Sequence, residues 1–114
     1  MATFNSHTIP ECPFVTTQKV LSGKWAILLL HHLDHGTKRF NELQRLMTPI
    51  TQATLTKQLR QLEDDGLVER LVYPEVPPRV EYQLTPIGQE FGQVLKEIDS
   101  WGNKYIDFVK EKEN

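Results

Sequence analysis

Apolar residues recur along this chain with two different spacings, and the change of spacing divides it into elements. From Phe14 to Leu21 they suit a short helix. Cys12-Pro13 opens it, since a proline at the first helical position gives up only an N–H that has no partner there. Ser22-Gly23 closes it. From Lys24 the helical period strengthens: Trp25, Leu28, Leu29, His32 and Leu33 fall on one stripe, while Ile27 and Leu30 are apolar on the far side. That pattern predicts a central helix buried on both faces and ended at His35-Gly36, with glycine at the C′ position. Thr37 to Arg39 is a connector or a one-pair strand. Phe40, Leu43, Leu46 and Met47 then mark a short helix, and Leu55, Leu59 and Leu62 mark a second. Pro49 stops the first, Thr51 is placed to cap the second, and Asp65-Gly66 ends it. Two short helices around so tight a turn outline a helix-turn-helix, an outline that any αα-hairpin shares.

Beyond Gly66 the period falls to two. LVERLVYP alternates as a strand, with Leu67 or Val68, Arg70 and Val72 on one side. VEYQLT sets Val80, Tyr82 and Leu84 against Glu81, Gln83 and Thr85. Between them PEVPPR cannot form regular structure, because Pro74, Pro77 and Pro78 lack donors and fix φ. A helix-turn-helix followed directly by a stiff-tipped hairpin is a winged helix. In that architecture the second helix enters the major groove and the hairpin tip lies along the backbone or minor groove. Thr85-Pro86 caps and starts a last helix. Its apolar residues, Ile87, Phe91, Val94, Ile98, Trp101, Tyr105 and Phe108, keep alternating steps of four and three, a heptad-like seam. Such a helix is roughly 30 Å long at 1.5 Å per residue. The small domain in front of it does not need that length, so its distal half, from about Trp101, is expected to pack on another subunit, with KEKEN as a solvated tail. The predicted fold class is α+β, mostly α: a winged helix-turn-helix with a β-hairpin wing and a long C-terminal dimerisation helix. It occupies residues 12–114 behind a flexible N-terminal arm at residues 1–11.

The charge distribution sharpens this reading. The net charge is −2, mildly unfavourable for binding nucleic acid. Between Thr37 and Gln61, however, Lys38, Arg39, Arg45, Lys57 and Arg60 face a single acid, Glu42. The helix-turn-helix is therefore basic within an acidic protein. With 39% hydrophobic and 25% charged residues, the composition is that of an ordinary soluble domain. No apolar run approaches the roughly 18 residues of a membrane span, and the N-terminus lacks the features of a signal peptide. One cysteine cannot close an intrachain disulfide, which suits a reducing compartment. The expected location is the cytoplasm.

Five strings in the chain resemble one family. They are CPF…LSGKW from Cys12 to Trp25, RFNEL from Arg39, LTKQLRQLEDDGLVER from Leu55, YPEVPPRVEYQLTPIG from Tyr73, and Trp101-Gly102. Together they look like the HxlR-type regulators, winged helix-turn-helix transcription factors of bacteria and archaea related to the MarR group. The resemblance spans Cys12 to Gly102, and its most specific part is the PEVPPRVEYQLT wing. It implies a homodimer joined through N- and C-terminal helices, with Phe14, Trp101, Tyr105 and Phe108 at the dimer interface. It also implies two recognition helices presented to a pseudo-palindromic promoter site, with repression or activation as the outcome.

At about 100° per residue the core side of the second helix is set by Leu55, Leu59 and Leu62, and Lys57 lies nearly opposite. The N-terminal half of such a helix goes deepest into the groove. Gln52, Ala53, Thr54 and Lys57 are thus the candidate base readers: Gln52 for adenine, Ala53 or Thr54 for a thymine methyl, Lys57 for a guanine edge. Arg60 is better placed for phosphate. Thr51, at the helix N-terminus, is a further phosphate candidate. Arg79 at the wing tip is the candidate for the minor groove or its flanking phosphates, and Lys38 and Arg39 are candidate backbone contacts.

Cys12 stands just ahead of a helix, at the positive end of its dipole, which favours the thiolate. It matches a cysteine that in some HxlR-type regulators senses electrophiles or oxidants; an inert small residue packed at the helix start is the alternative. His31 and His35 have a workable two-ligand spacing, but Asp34 is on another face and no third ligand is local, so neither metal nor cofactor is expected. The expected partners are double-stranded DNA, a second copy of the chain, and a small-molecule effector or oxidant, with no membrane. The alternative functions are a regulator answering to a small molecule held near Trp25 and Trp101, and a winged helix used only to bind protein, against which the basic Lys57 and Arg60 argue. No phosphate loop or identifiable nucleophile–base set suggests an enzyme.

Overall fold

The computed structural model describes residues 12–113; the expected arm at residues 1–11 lies outside them. The elements follow in the order α1 (Pro13–Val20), α2 (Ala26–Asp34), β1 (Lys38–Arg39), α3 (Phe40–Leu46), α4 (Gln52–Asp64), β2 (Val68–Tyr73), β3 (Arg79–Leu84) and α5 (Pro86–Glu113). The three strands form one antiparallel sheet in the order β1-β3-β2. β1 is the one-pair strand, with Lys38 opposite Tyr82 and Arg39 opposite Glu81. The hairpin register pairs Val68 with Leu84 and Tyr73 with Arg79.

The core lies where α2, α3, α4 and the base of the hairpin meet. Leu29 and Leu30 of α2, Leu43 of α3, and Leu55, Leu59 and Leu62 of α4 are all 2% exposed or less. Met47 and Ile50 seal the turn between α3 and α4, where the Thr48–Pro49 peptide bond is cis. Val68, Tyr82 and Leu84 supply the floor from the sheet. The side of the hairpin that carries them also carries Val72, yet Val72 is 56% exposed. The distal half of the wing projects past the helices that cover its base, so strand alternation there no longer reports burial.

Three expectations need correction. The core stripe of α2 is Ala26, Leu29, Leu30 and Leu33, not the stripe through Leu28 and His32; Ile27 and Leu28 are 40% and 39% exposed. A helix apolar nearly all round has no periodicity that picks out its buried face, and the small Ala26 marks the closest packing. Within one chain the helix is buried on one side, not two. On α3, Leu46 is 50% exposed, while Met47 takes the buried position at the helix end. Finally, α5 has 28 residues and continues through the KEKEN segment to Glu113, which makes it about 42 Å long at 1.5 Å per residue.

α5 meets the domain through a different face from its heptad seam. Its buried residues are Gly88, Gly92 and Leu95. Thr85 starts it as an N-cap: the Gly88 N–H donates to Thr85 Oγ1 at 3.2 Å, and that hydroxyl donates to the Gly66 carbonyl at 2.6 Å. Gly88 permits the approach, since a Cβ there would lie 2.2 Å from the Leu67 carbonyl oxygen. Of the seam, Phe91 packs against the core, while Ile87, Val94, Ile98, Trp101, Tyr105 and Phe108 are between 36% and 65% exposed.

Candidate nucleic-acid interface

Helix α4 is held from one side and displayed from the other. Thr51 caps its N-terminus: the Thr54 N–H donates to Thr51 Oγ1 at 3.1 Å, and the Thr51 hydroxyl donates to Thr54 Oγ1 at 2.9 Å. With Leu55, Leu59 and Leu62 fixed in the core, Gln52, Ala53, Lys57 and Arg60 stand exposed and Thr54 half-buried. The sequence-derived readers therefore share one outward surface, and no carboxylate lies among them. Turning the helix to hide these residues would expose three leucines, each worth about 2 kcal/mol of burial, so packing fixes which side is presented.

The wing's cation is arranged differently. The Arg79 guanidinium lies over the Tyr73 ring, 4.1 Å from its centroid, and pairs with Glu75 at 3.2 Å and Glu81 at 3.6 Å. Glu81 also sits 3.8 Å from Arg39. Much of the positive charge at the wing is thus balanced within the wing. Arg39 is exposed and its N–H donates to Glu42 Oε1 at 2.9 Å at the start of α3, while Lys38 Nζ donates to the Gly36 carbonyl at 3.2 Å. Val76, at the tip, is fully exposed.

A feature the sequence did not flag borders α4. The turn between α1 and α2 rests against the helix flank, and Gly23 there adopts φ +101°, with the Gln58 amide so close that a Cβ would lie 2.6 Å from Nε2. Gln58 Oε1 is buried with no protein hydrogen-bond partner. Lys24, Trp25, Thr54, Lys57 and Gln61 complete the cleft between turn and helix. In the sequence Lys24 reads only as a helix start; that it shares a cleft with Lys57 appears only in three dimensions.

Cys12 is exposed at the N-cap of α1, where its carbonyl accepts from the Thr16 N–H at 3.0 Å and its side chain makes no capping bond. Phe14, one turn in, is 84% exposed. An apolar cleft of about 370 Å³ separates α1 from α5, lined by Val20, Leu21, Ile87, Phe91 and Val94 among others. Trp101 stacks on Tyr105, with centroids 5.2 Å apart, farther along α5. Trp25 lines the cleft beside α4, and Trp101 stands 65% exposed on the distal half of α5.

The histidines cluster at the end of α2. His35 Nδ1 bonds to the His31 carbonyl at 2.9 Å, and the His31 ring lies 5.1 Å from that of His32 and 4.9 Å from that of His35. Partial burial, then the neighbouring His31, His35 and Lys38, holds the His32 imidazole below its ordinary value of 6.5. Among the described residues no three His, Cys, Asp or Glu side chains gather to hold a metal ion. No helix among them is long and apolar enough to cross a membrane.

This architecture has close counterparts. The family model for the HxlR-like helix-turn-helix matches residues 20–110. The uncharacterized HTH-type transcriptional regulator YdeP of Bacillus subtilis is 46% identical over 110 residues, covering 96% of this chain and 86% of YdeP. The redox regulator HypR in its reduced form superposes with a TM-score of 0.82 at 43% identity, covering 88% of this chain and 99% of HypR. The reduced form of the transcriptional regulator YodB from B. subtilis gives a TM-score of 0.73 at 34% identity, covering 84% and 95% of the two chains. HypR has also been solved oxidised, and YodB after diamide treatment. A capped second helix with a basic outward side, the hairpin beside it and these relatives lead to one assignment: the chain belongs to the HxlR-like helix-turn-helix family and is a transcriptional regulator of the winged helix-turn-helix type.

Proposed function

We propose that the protein is a cytoplasmic homodimer that binds a pseudo-palindromic promoter site, reading it with α4 and switching on oxidation or alkylation of Cys12. The observation that carries the reading is the two-sidedness of α4: three leucines in the core, and Gln52, Ala53, Thr54, Lys57 and Arg60 facing away from it. In a two-fold dimer the two α4 helices would enter successive turns of the major groove, about 34 Å apart. Gln52, Ala53, Thr54 and Lys57 read base edges; Thr51, Arg60, Lys38 and Arg39 hold phosphates; and Arg79 reaches the minor groove or its rim once its carboxylate partners give way. Continuity of the exposed seam on α5 with the apolar cleft beside α1 supports pairing through Phe14, Trp101, Tyr105 and Phe108.

The test is selection of bound sequences from random DNA, followed by affinity measurements on the selected operator. Lys57→Ala should cost about 1–3 kcal/mol on the operator and much less on unrelated duplex. Equal losses on both would overturn its role as a base reader. Support for the switch comes from the exposure of Cys12 and from the kinship with HypR and YodB. Diamide should release the wild type from its operator and leave Cys12→Ser bound; release of both alike would sink the switch. A small-molecule effector seated in the α1–α5 cleft is the second reading, favoured by that cleft's apolar lining. It predicts release by a hydrophobic ligand in Cys12→Ser as well.

A further inference from the structure

Two lysines line the cleft between the α1–α2 turn and α4, Lys24 from the turn and Lys57 from the helix. The remaining walls are Ser22, Gly23, Trp25, Thr54, Gln58 and Gln61, so hydroxyl and amide groups are present and no carboxylate is. That is unusual here: on the wing, Arg79 is balanced by Glu75 and Glu81, and Arg39 by Glu81. Neither Lys24 nor Lys57 takes part in a salt bridge among the described residues; Lys24 Nζ lies 5.3 Å from the centroid of the Trp25 ring. The turn lies close against α4, because Gly23 lets its backbone close onto the Gln58 side-chain amide.

Helix dimensions say what this cleft would meet. An α-helix with its side chains is about 10–12 Å across, and the major groove is about 12 Å wide. A recognition helix therefore fills the groove, and whatever stands against its flank meets the sugar–phosphate backbone. We propose that Lys24 and the Ser22–Gly23–Lys24 turn form a phosphate clamp at the rim of the groove, gripping a backbone phosphate next to the point where α4 enters. The inference rests on the reading of α4 as the recognition helix. It gives Lys24 a different task from Lys57: a flexible point charge on a phosphate fixes the register of the helix without reading sequence.

The test compares wild type, Lys24→Gln, Lys24→Arg and Lys57→Ala on the selected operator and on an unrelated duplex across a series of salt concentrations. Glutamine removes the charge and keeps a polar end on an aliphatic stem, and thermal melting checks that each variant is folded. Lys24→Gln should weaken both duplexes several-fold and lower the slope of log K against log salt by about 0.9 for each bound subunit. Lys24→Arg should restore slope and affinity. An unchanged slope in Lys24→Gln, with Lys57→Ala still impaired on the operator, overturns the clamp and leaves the recognition helix standing. No effect from either lysine overturns both. A loss confined to the operator would make Lys24 a base reader, and a loss that arginine fails to rescue would make it structural; each outcome also overturns the clamp. Competition by millimolar inorganic phosphate at constant ionic strength, with no change of slope in Lys24→Gln, would assign the cleft to a free anion instead.

Discussion

Gly88 and His32 show how much can rest on one position. The α5 backbone passes so near the Leu67 carbonyl that Gly88 has no room for a methyl group, and the blocking atom is main chain that cannot rotate away. Gly88→Ala should therefore destabilise the fold by about 3 kcal/mol, at the upper end of overpacking costs. It should be read as a lower denaturant midpoint with unchanged m-value. His32 carries a different sensitivity. Its imidazole is held below 6.5 in the folded chain by burial and by the positive neighbours His31, His35 and Lys38. The unfolded chain thus takes up its proton first as pH falls, and protonation favours unfolding. The contribution has no effect well above pH 6.5, and stability declines as pH drops through 6.5 toward the lowered folded value. Denaturation of wild type and His32→Asn at pH 7.5 and pH 5.5 checks this: the variant should lose less stability on acidification.

At the scale of elements, α4 and the wing differ in how much of them was legible in the sequence. α4 carries three leucines on one side and Lys57 and Arg60 on the other, with its acids Glu63 and Asp64 confined to the last turn, so period and charge agreed on its orientation. Its buried residues are the ones the spacing picked out, Leu55, Leu59 and Leu62. The wing was legible as a hairpin because its prolines and alternation mark it. The state of Arg79 was not legible. Its partners, Glu75, Glu81 and Tyr73, converge on it only through the register that puts Tyr73 opposite Arg79. In the proposed complex those carboxylates would restrain Arg79 as a DNA contact. Glu75→Gln removes the nearest one and should tighten binding to any duplex and steepen its salt dependence. Arg79→Ala should do the reverse while changing stability by less than about 1 kcal/mol, because its ion pairs are partly exposed. Fluorescence titrations at several salt concentrations decide it. α2 failed as a sequence reading for the opposite reason: apolar on all sides, it gave periodicity nothing to choose between.

At the scale of the molecule, the proposed dimer rests on the exposed seam of α5. The radius of gyration is 16.0 Å, against about 13 Å for a compact domain of 100 residues. A partner covering that seam would remove Trp101, Tyr105 and Phe108 from water. Trp101→Glu should then shift the protein from a dimer to the 13.2 kDa monomer in sedimentation equilibrium. It should leave the helical circular dichroism largely intact, because Trp101 is already 65% exposed in the single chain. Loss of operator binding at matched protein concentration should follow, as each monomer reaches only one half-site.

Local sequence determined which helices and strands form and in what order, which side of α4 is apolar, and that a basic helix-turn-helix precedes a stiff hairpin. Each of these follows from period, capping and proline chemistry acting over a few residues. Tertiary structure alone decided which face of α2 is core, that Arg79 is tied to Glu75, Glu81 and Tyr73, that the distal seam of α5 is exposed, and that Lys24 and Lys57 line one cleft. These depend on how elements far apart in the chain are packed against one another, and spacing along the sequence holds no record of that.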